Sequence, residues 1–110
     1  MEKCCIFVIP TFFCMPKILL YITAKATWIF LFFGTDVTEN RAHVHVGKKS
    51  TDEYCKIWLE PEISVAKQGA LTTSELKTVL EITQKYHSEL MQQWEKFTAG
   101  KTIKMIIIKN

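Results

Sequence analysis

An amphipathic helical pattern in the second half of the chain constrains the fold more than any other feature. Thr72-Thr73-Ser74-Glu75 matches a capping box, in which the Thr72 hydroxyl accepts from the Glu75 amide and the Glu75 carboxylate reaches back. The stripe that follows is longer than a typical globular helix, and Gly100 is a natural end. We therefore predict one long helix kinked near His87-Ser88, or two consecutive helices. The apolar residues of the stripe recur every three or four positions, at Leu76, Val79, Leu80, Tyr86, Leu90, Trp94 and Phe97.

The preceding part of the chain carries short segments typical of β-strands, rich in β-branched or aromatic residues. A segment from Lys101 to Lys109 is a candidate for a further strand at an edge of the sheet. We predict an α+β fold, in which a small curled antiparallel sheet of four strands, or five with that segment, packs against the helical part. The four strands are predicted from Lys17 to Thr23, from Thr27 to Phe33, from Ala42 to Val46 and from Glu53 to Leu59, with polar loops at 34–40 and 47–52.

Length and composition favour one domain. A chain of 110 residues with 48% apolar and 23% charged residues can bury a core and differs from disordered or low-complexity proteins. Residues 1–14 have no clear strand or helix period and a proline in their middle, so they add little to a core. We predict that residues 1–14 are an apolar N-terminal extension outside the fold and that 15–110 form a single α+β domain. Met1 and Met15 both remain candidates for the working start, and Met15 is favoured.

The apolar character of residues 1–33 raises two alternatives, a membrane span and a secretory signal. A span needs about 20 mostly apolar residues, whereas charges and prolines interrupt this run. A signal with a cleavage site near Ala24-Lys25-Ala26 has a lysine inside its apolar region. We therefore expect no membrane association and no export. The interrupting residues are Pro10, Pro16, Lys17 and Lys25.

Cysteine usage and charge limit the partners of the chain. Three cysteines crowd the first 14 residues and Cys55 stands alone, which is neither the paired spacing of a zinc site nor a disulfide framework. We predict reduced thiols in a cytoplasmic protein. The net charge is +3, and residues 96–110 hold lysines and no acid. Such a tail can attract phosphate or an acidic partner protein, or form a solvated surface. Its lysines are Lys96, Lys101, Lys104 and Lys109.

His43 and His45 stand two residues apart, so on a strand both side chains leave the same face. The simplest hairpin register places His45 opposite Tyr54, His43 opposite Lys56 and Val44 opposite Cys55. One face then collects basic and aromatic residues, while Val44, Val46 and Cys55 face the helix. The residues predicted on the first face are Arg41, His43, His45, Tyr54, Lys56, Trp58 and Glu60.

This face supports two interpretations. As a ligand-binding or RNA-binding surface, Trp58 or Tyr54 would stack a base while Arg41 and Lys56 meet phosphates, with Glu60 beside them. As an ordinary solvated face, Arg41 would rest on Trp58, a contact worth around 1 kcal/mol.

Catalysis and metal binding have weaker support. His43 and His45 are candidate catalytic residues because a histidine can act as general acid or base near neutral pH. A metal would need a third ligand, and either Glu60 or His87 would have to swing in, with Cys55 on the wrong face. We predict no metal and no cofactor. His87, close to the apolar stripe, is expected to be a partly buried packing or helix-end residue.

Four segments in order resemble the bacterial domain-of-unknown-function family 4160. They are Met15-Pro16-Lys17-Ile18, His43-Val44-His45-Val46, Lys56-Ile57-Trp58-Leu59-Glu60-Pro61 and Trp94-Glu95-Lys96-Phe97, within residues 15–99. The chain departs from the family pattern at Ala42, where a proline is common, and at 23–27. The resemblance implies a small cytosolic protein, toxin-like, with an antitoxin-like protein partner encoded nearby.

Three functions are compatible with these observations, and they are given from the most to the least favoured. The first is a toxin–antitoxin component that acts by binding a protein partner, without catalysis. The second is an RNA-binding or RNA-cleaving toxin that uses the His43/His45 face, ribonuclease being the expected activity if there is one. The third is a metal-dependent hydrolase. The sequence leaves the oligomeric state and the toxin or antitoxin role open.

Overall fold

A computed structural model describes residues 16–33, 38–49 and 53–110. The strands are β1 (Lys17–Ile22), β2 (Thr27–Leu31), β3 (His43–Lys48), β4 (Cys55–Trp58), β5 (Ser64–Lys67) and β6 (Ile106–Lys109). The helices are α1 (Thr73–Lys85) and α2 (His87–Thr98). The predicted α+β class is confirmed. The predicted N-terminal extension, residues 1–14, and Met15 lie outside the described residues.

The strands form one six-stranded mixed sheet in the order β5-β4-β3-β2-β1-β6. Neighbours are antiparallel except β6, which runs parallel to β1. The prediction of a curled antiparallel sheet with four or five strands is therefore wrong in strand number and in the direction of β6. The chain leaves β5 at one edge, passes through both helices and adds β6 at the other edge, which a strand-by-strand pattern does not reveal.

The helical prediction is confirmed in its two-helix form. The Thr72 hydroxyl accepts from the Glu75 amide at 3.1 Å, and the Glu75 carboxylate accepts from the Thr72 amide at 2.9 Å, so both bonds of the capping box are present. Tyr86 separates α1 from α2, one residue before the expected break. Gly100 adopts φ +72°, a left-handed conformation that glycine adopts without a Cβ clash and that suits the end of a helix.

The helices pack their apolar stripe on one face of the sheet. Phe32 is fully buried, and its ring centroid lies 5.2 Å from that of Trp94 and 4.9 Å from that of Phe97. Burying each such side chain contributes roughly 1.5–3 kcal/mol. The main core contains Phe30, Phe32, Val44, Val46, Cys55 and Ile57 from the sheet, with Val79, Ile82, Leu90, Trp94 and Phe97 from the helices.

The β3–β4 hairpin has a different register from the predicted one. His43 pairs with Trp58 and His45 with Lys56, a shift of two residues, so the two sets of side chains keep their predicted faces. The shift arises because β3 continues through Gly47 and Lys48, which were expected to be loop. A Cβ built on Gly47 would lie 2.9 Å from the Tyr54 ring. Gly47 is thus a strand glycine that makes room for an aromatic ring across the hairpin.

Neither α1 nor α2 has the length and apolar character needed to cross a bilayer, and this holds for all the residues that the structure describes.

Candidate functional site

The candidate site lies on the face of β3 and β4 that carries both strand histidines. We use the term histidine face for the seven residues predicted there, which are Arg41, His43, His45, Tyr54, Lys56, Trp58 and Glu60. The β3–β4 register brings His43, His45, Lys56 and Trp58 together on adjacent strands. Arg41 and Glu60 extend the set beyond the ends of the strands, and Tyr54 precedes β4.

His43 is completely buried, although it belongs to the face that was expected to form a surface. Its Nδ1 lies 2.9 Å from the carbonyl oxygen of Arg41. A carbonyl only accepts, so Nδ1 carries the hydrogen, and in the neutral ring Nε2 is the basic nitrogen. Nε2 lies 3.8 Å from Oε1 of Glu39. The ring therefore has a fixed tautomer and a carboxylate close to its basic nitrogen.

Aromatic rings enclose the two strand histidines. The His43 centroid lies 5.3 Å from that of His45, 5.6 Å from Trp58 and 5.0 Å from Trp94 on α2. His45 is only 9% exposed, and its ring lies 4.2 Å from that of Phe33. The structure thus brings the predicted catalytic pair together, but inside the protein and not on an open surface.

The charged members of the histidine face contact one another and Trp58. The Arg41 guanidinium carbon lies 4.1 Å from the Trp58 ring centroid, and Lys56 Nζ lies 4.6 Å from it. The predicted contact of Arg41 with Trp58 is confirmed. Lys56 Nζ also donates to Glu39 at 3.0 Å. An incoming base could stack on Trp58 only where these cations leave its ring uncovered.

Glu60 and Tyr54 make structural contacts within this site. The Glu60 carboxylate accepts from the Ala42 amide at 2.8 Å, and the Glu60 carbonyl accepts from Arg41 Nε at 2.7 Å. Tyr54 is half-buried and fills the space above Gly47. Both residues therefore hold the ends of the β3–β4 hairpin together.

The two side chains that would have to supply a third metal ligand, Glu60 and His87, are engaged elsewhere. The Glu60 carboxylate binds the Ala42 amide, and His87 Nε2 lies 2.7 Å from the carbonyl of Leu59. His87 is half-buried at the first position of α2, which agrees with the predicted partly buried packing or helix-end residue. The described residues contain no group of three or more His, Cys, Asp or Glu side chains placed to hold a metal ion.

Cys55 is buried on the opposite face, paired with Val46. Burial raises the pKa of its thiol to about 11, because a thiolate loses its hydration in the core. The thiol is therefore neutral at physiological pH. Its predicted exclusion from the histidine face is confirmed.

Two residues that the sequence did not assign to the site, Glu39 and Trp94, complete its surroundings, and a third unpredicted residue, Gln93, is buried elsewhere. Glu39 joins Lys56 and approaches His43, yet as a single acid in a polar loop it has no distinguishing pattern. Trp94 belongs to the helical stripe but also contacts His43. Gln93 is 2% exposed and donates to the carbonyls of Ile18 and Lys104. A buried glutamine beside an apolar stripe is the one available signal for it.

Comparison with known proteins identifies a family and no individual relative. Neither a curated protein nor a solved structure matches the chain. The family model of the domain of unknown function (DUF4160) matches residues 27–95, which extend from the start of β2 into α2 and include the whole histidine face. Because this match covers more than half of the sequence, the chain belongs to the DUF4160 family.

Proposed function

We propose that the protein is a cytoplasmic component of a toxin–antitoxin pair and that it acts by binding a protein partner, without catalysis of its own. The family resemblance supports the toxin–antitoxin setting, and the accessible surface supports the mode of action. The proposal leaves open whether this chain inhibits growth or protects against its partner.

The observation that carries the proposal is the open edge of the sheet at β6. In the strand order, β6 has β1 on one side, and no described strand pairs with its other side. Ile107 on this strand is 52% exposed, more than any other large apolar side chain among the described residues. An exposed apolar edge strand is a template for pairing with another chain, and soluble proteins usually cover or interrupt such edges.

The histidine face supports the same conclusion because its reactive groups are enclosed. A general base must come within hydrogen-bond reach of a substrate proton, and His43 has no exposed surface. Of the cations next to it, Lys56 is already paired with Glu39, and both Lys56 and Arg41 lie over the Trp58 ring. These contacts are those of a structural core around the hairpin.

Co-expression with the product of the adjacent gene tests the proposal. We expect the two proteins to co-purify as a stable complex, and we expect the His45→Gln variant to bind as the wild type does. Absence of a complex in both co-expression and mixing of the purified proteins would overturn the proposal. Measured turnover of RNA by the isolated protein would replace it with the second candidate.

The second candidate is an RNA-binding or RNA-cleaving toxin, and the clustering of two cations, Arg41 and Lys56, beside one aromatic side chain favours it, although both cations would have to leave the Trp58 ring. Those two cations could rearrange toward a phosphate while Trp58 stacks a base. In a growth assay, His43→Ala and His45→Ala variants that remain folded would lose inhibition if this candidate is correct. Unchanged inhibition would eliminate it.

A further inference from the structure

We infer that the partner contributes an extended segment with an apolar and an acidic residue two positions apart, on one face, which adds to the sheet as a strand along β6. This inference rests on the proposed partner-binding function and specifies the chemistry of the partner. Four features carry it: the direction of the backbone groups in β6, the exposure of Ile107, the anchoring of both ends of the strand and the charge of the edge.

The backbone of β6 presents an ordered set of hydrogen-bonding groups to the outside. The amide of Asn110, which directly follows β6, donates to the Ile22 carbonyl on β1 at 2.8 Å. Along a strand, the N–H and C=O groups of successive residues point to opposite sides. The amides and carbonyls of Ile107 and Lys109 therefore point away from β1, where a partner strand could pair with them.

The side chains of β6 divide in the same alternating way. Ile106 and Ile108 pack against the core beneath the helices, whereas Ile107 and Lys109 are exposed. A partner strand that bonds to Ile107 would place an apolar side chain beside it on the same face. The exposed apolar surface of Ile107 then becomes buried in the complex.

Both ends of the edge strand are anchored, so it is already ordered for pairing. Before β6, the Gln93 amide donates to the Lys104 carbonyl at 2.7 Å and to the Ile18 carbonyl at 3.1 Å. After β6, Asn110 Nδ2 donates to the Tyr21 hydroxyl at 2.7 Å. A short strand at the edge of a sheet frays unless it is held in place. Because it is held in place, a partner does not bear the entropic cost of ordering it.

The charge of the edge selects an acidic partner over a second copy. Residues 96–110 contain no aspartate or glutamate, and two lysines are exposed here: Lys104, which lies shortly before β6, and Lys109, the last residue of β6. Pairing two copies through β6 would bring the lysines of both into one short ladder with no acid between them. A partner strand with glutamate or aspartate two positions from the apolar residue beside Ile107 places a carboxylate on the same face, next to Lys109.

The test uses the full chain, labelled with nitrogen-15, and the synthetic peptide acetyl-Glu-Thr-Val-Thr-Glu-Thr-Val-amide, which carries glutamate and valine in turn on one face. We expect the peptide to shift the amide resonances of Ile107 and Lys109 and to protect both from hydrogen exchange. The same peptide with lysine at each glutamate position should bind at least about tenfold more weakly. Shifts confined to other elements, or equal binding of the two peptides, would overturn the inference.

Two variants separate backbone pairing from charge. Ile107→Pro removes an outward amide while leaving the β1 ladder intact, and should weaken binding of the acidic peptide about tenfold or more. The double variant Lys104→Glu/Lys109→Glu should reverse the preference toward the lysine peptide. Val65→Thr on the opposite edge strand and Lys77→Glu on α1 are matched controls, and both should change binding by less than about twofold.

The outcomes distinguish the two levels of the proposal. If the adjacent gene product binds the wild type and Ile107→Pro equally well, the partner-binding function holds and the β6 inference is wrong. If that protein does not bind at all, the function itself is wrong. If an oligouridylate, and not the acidic peptide, shifts the β6 amides, the edge is a nucleic-acid site and the inference is again overturned.

Discussion

The side-chain amide of Gln93 donates to the carbonyl of Lys104 at 2.7 Å, across the gap between α2 and the segment that leads into β6. The same amide nitrogen donates to Ile18 at 3.1 Å. One buried side chain therefore connects a helix, the first strand and the segment that precedes the last strand. This relationship explains how β6 is positioned at the edge of the sheet.

Replacing Gln93 with alanine should destabilise the protein by about 2 kcal/mol, because two carbonyls lose a buried donor and a cavity remains. Urea denaturation of the variant measures the change in unfolding free energy. The neighbouring Gln92→Ala substitution is the matched control, since Gln92 is exposed, and it should change stability by less than about 0.5 kcal/mol. Equal effects of the two substitutions would contradict the role assigned to Gln93.

The Lys48–Glu75 ion pair should make stability depend on pH. Lys48 and the Thr72 amide both bond the Glu75 carboxylate and lower its pKa from the usual carboxyl value. A folded-state pKa below the unfolded one contributes stability at neutral pH that is lost as the pH falls through the folded pKa. The wild type should therefore lose its advantage over Glu75→Gln as the pH falls from about 5 through the range in which carboxyl groups take up a proton. Denaturant midpoints measured across that range test this, and a constant difference between the two proteins would contradict it.

Gly47→Ala should destabilise the β3–β4 hairpin by roughly 1–3 kcal/mol, because the new methyl group meets the Tyr54 ring at 2.9 Å. Thermal or chemical denaturation of the variant gives the cost. In a Tyr54→Leu background, the same glycine substitution should cost less, since the rigid ring is gone. Additive effects of the two substitutions would show that the ring is not the reason for the glycine.

The Cys55 thiol should resist alkylation in the native protein at about pH 8, because it is buried and its pKa is raised to about 11. Iodoacetamide labelling followed by peptide mass spectrometry resolves this cysteine from the others. We expect Cys55 to be labelled only when urea unfolds the chain. Labelling at the same rate with and without urea would contradict its placement in the core.

Local patterns in the sequence predicted the features that neighbouring residues determine. The Thr72–Glu75 capping box and the three-to-four spacing of apolar residues predicted the helical part. The alternation of side chains around Val44 and Cys55 predicted the two faces of the hairpin. These signals depend on residues close together in the chain. The faces that they predict are correct even where the predicted strand pairing is wrong, as in the β3–β4 register.

Features that depend on distant residues were not predictable in the same way. Ser64–Lys67 forms β5 although its residues are mostly exposed and show no alternation. The parallel pairing of β6 with β1 joins residues at opposite ends of the described chain. His43 is buried because Trp94, from a helix 51 positions away, closes over its ring. A pattern within one strand contains no information about such a contact.

The alternation of faces along the paired strands β3 and β4 has a consequence for natural variation in this family. Sliding the strands by two residues exchanges pairing partners but returns every side chain to its own face, whereas sliding by one would turn Val44 and Val46 outward. Insertions and deletions within the paired strands are therefore expected in twos among relatives. At this hairpin the parity of strand length, more than the length itself, determines which side chains face the core.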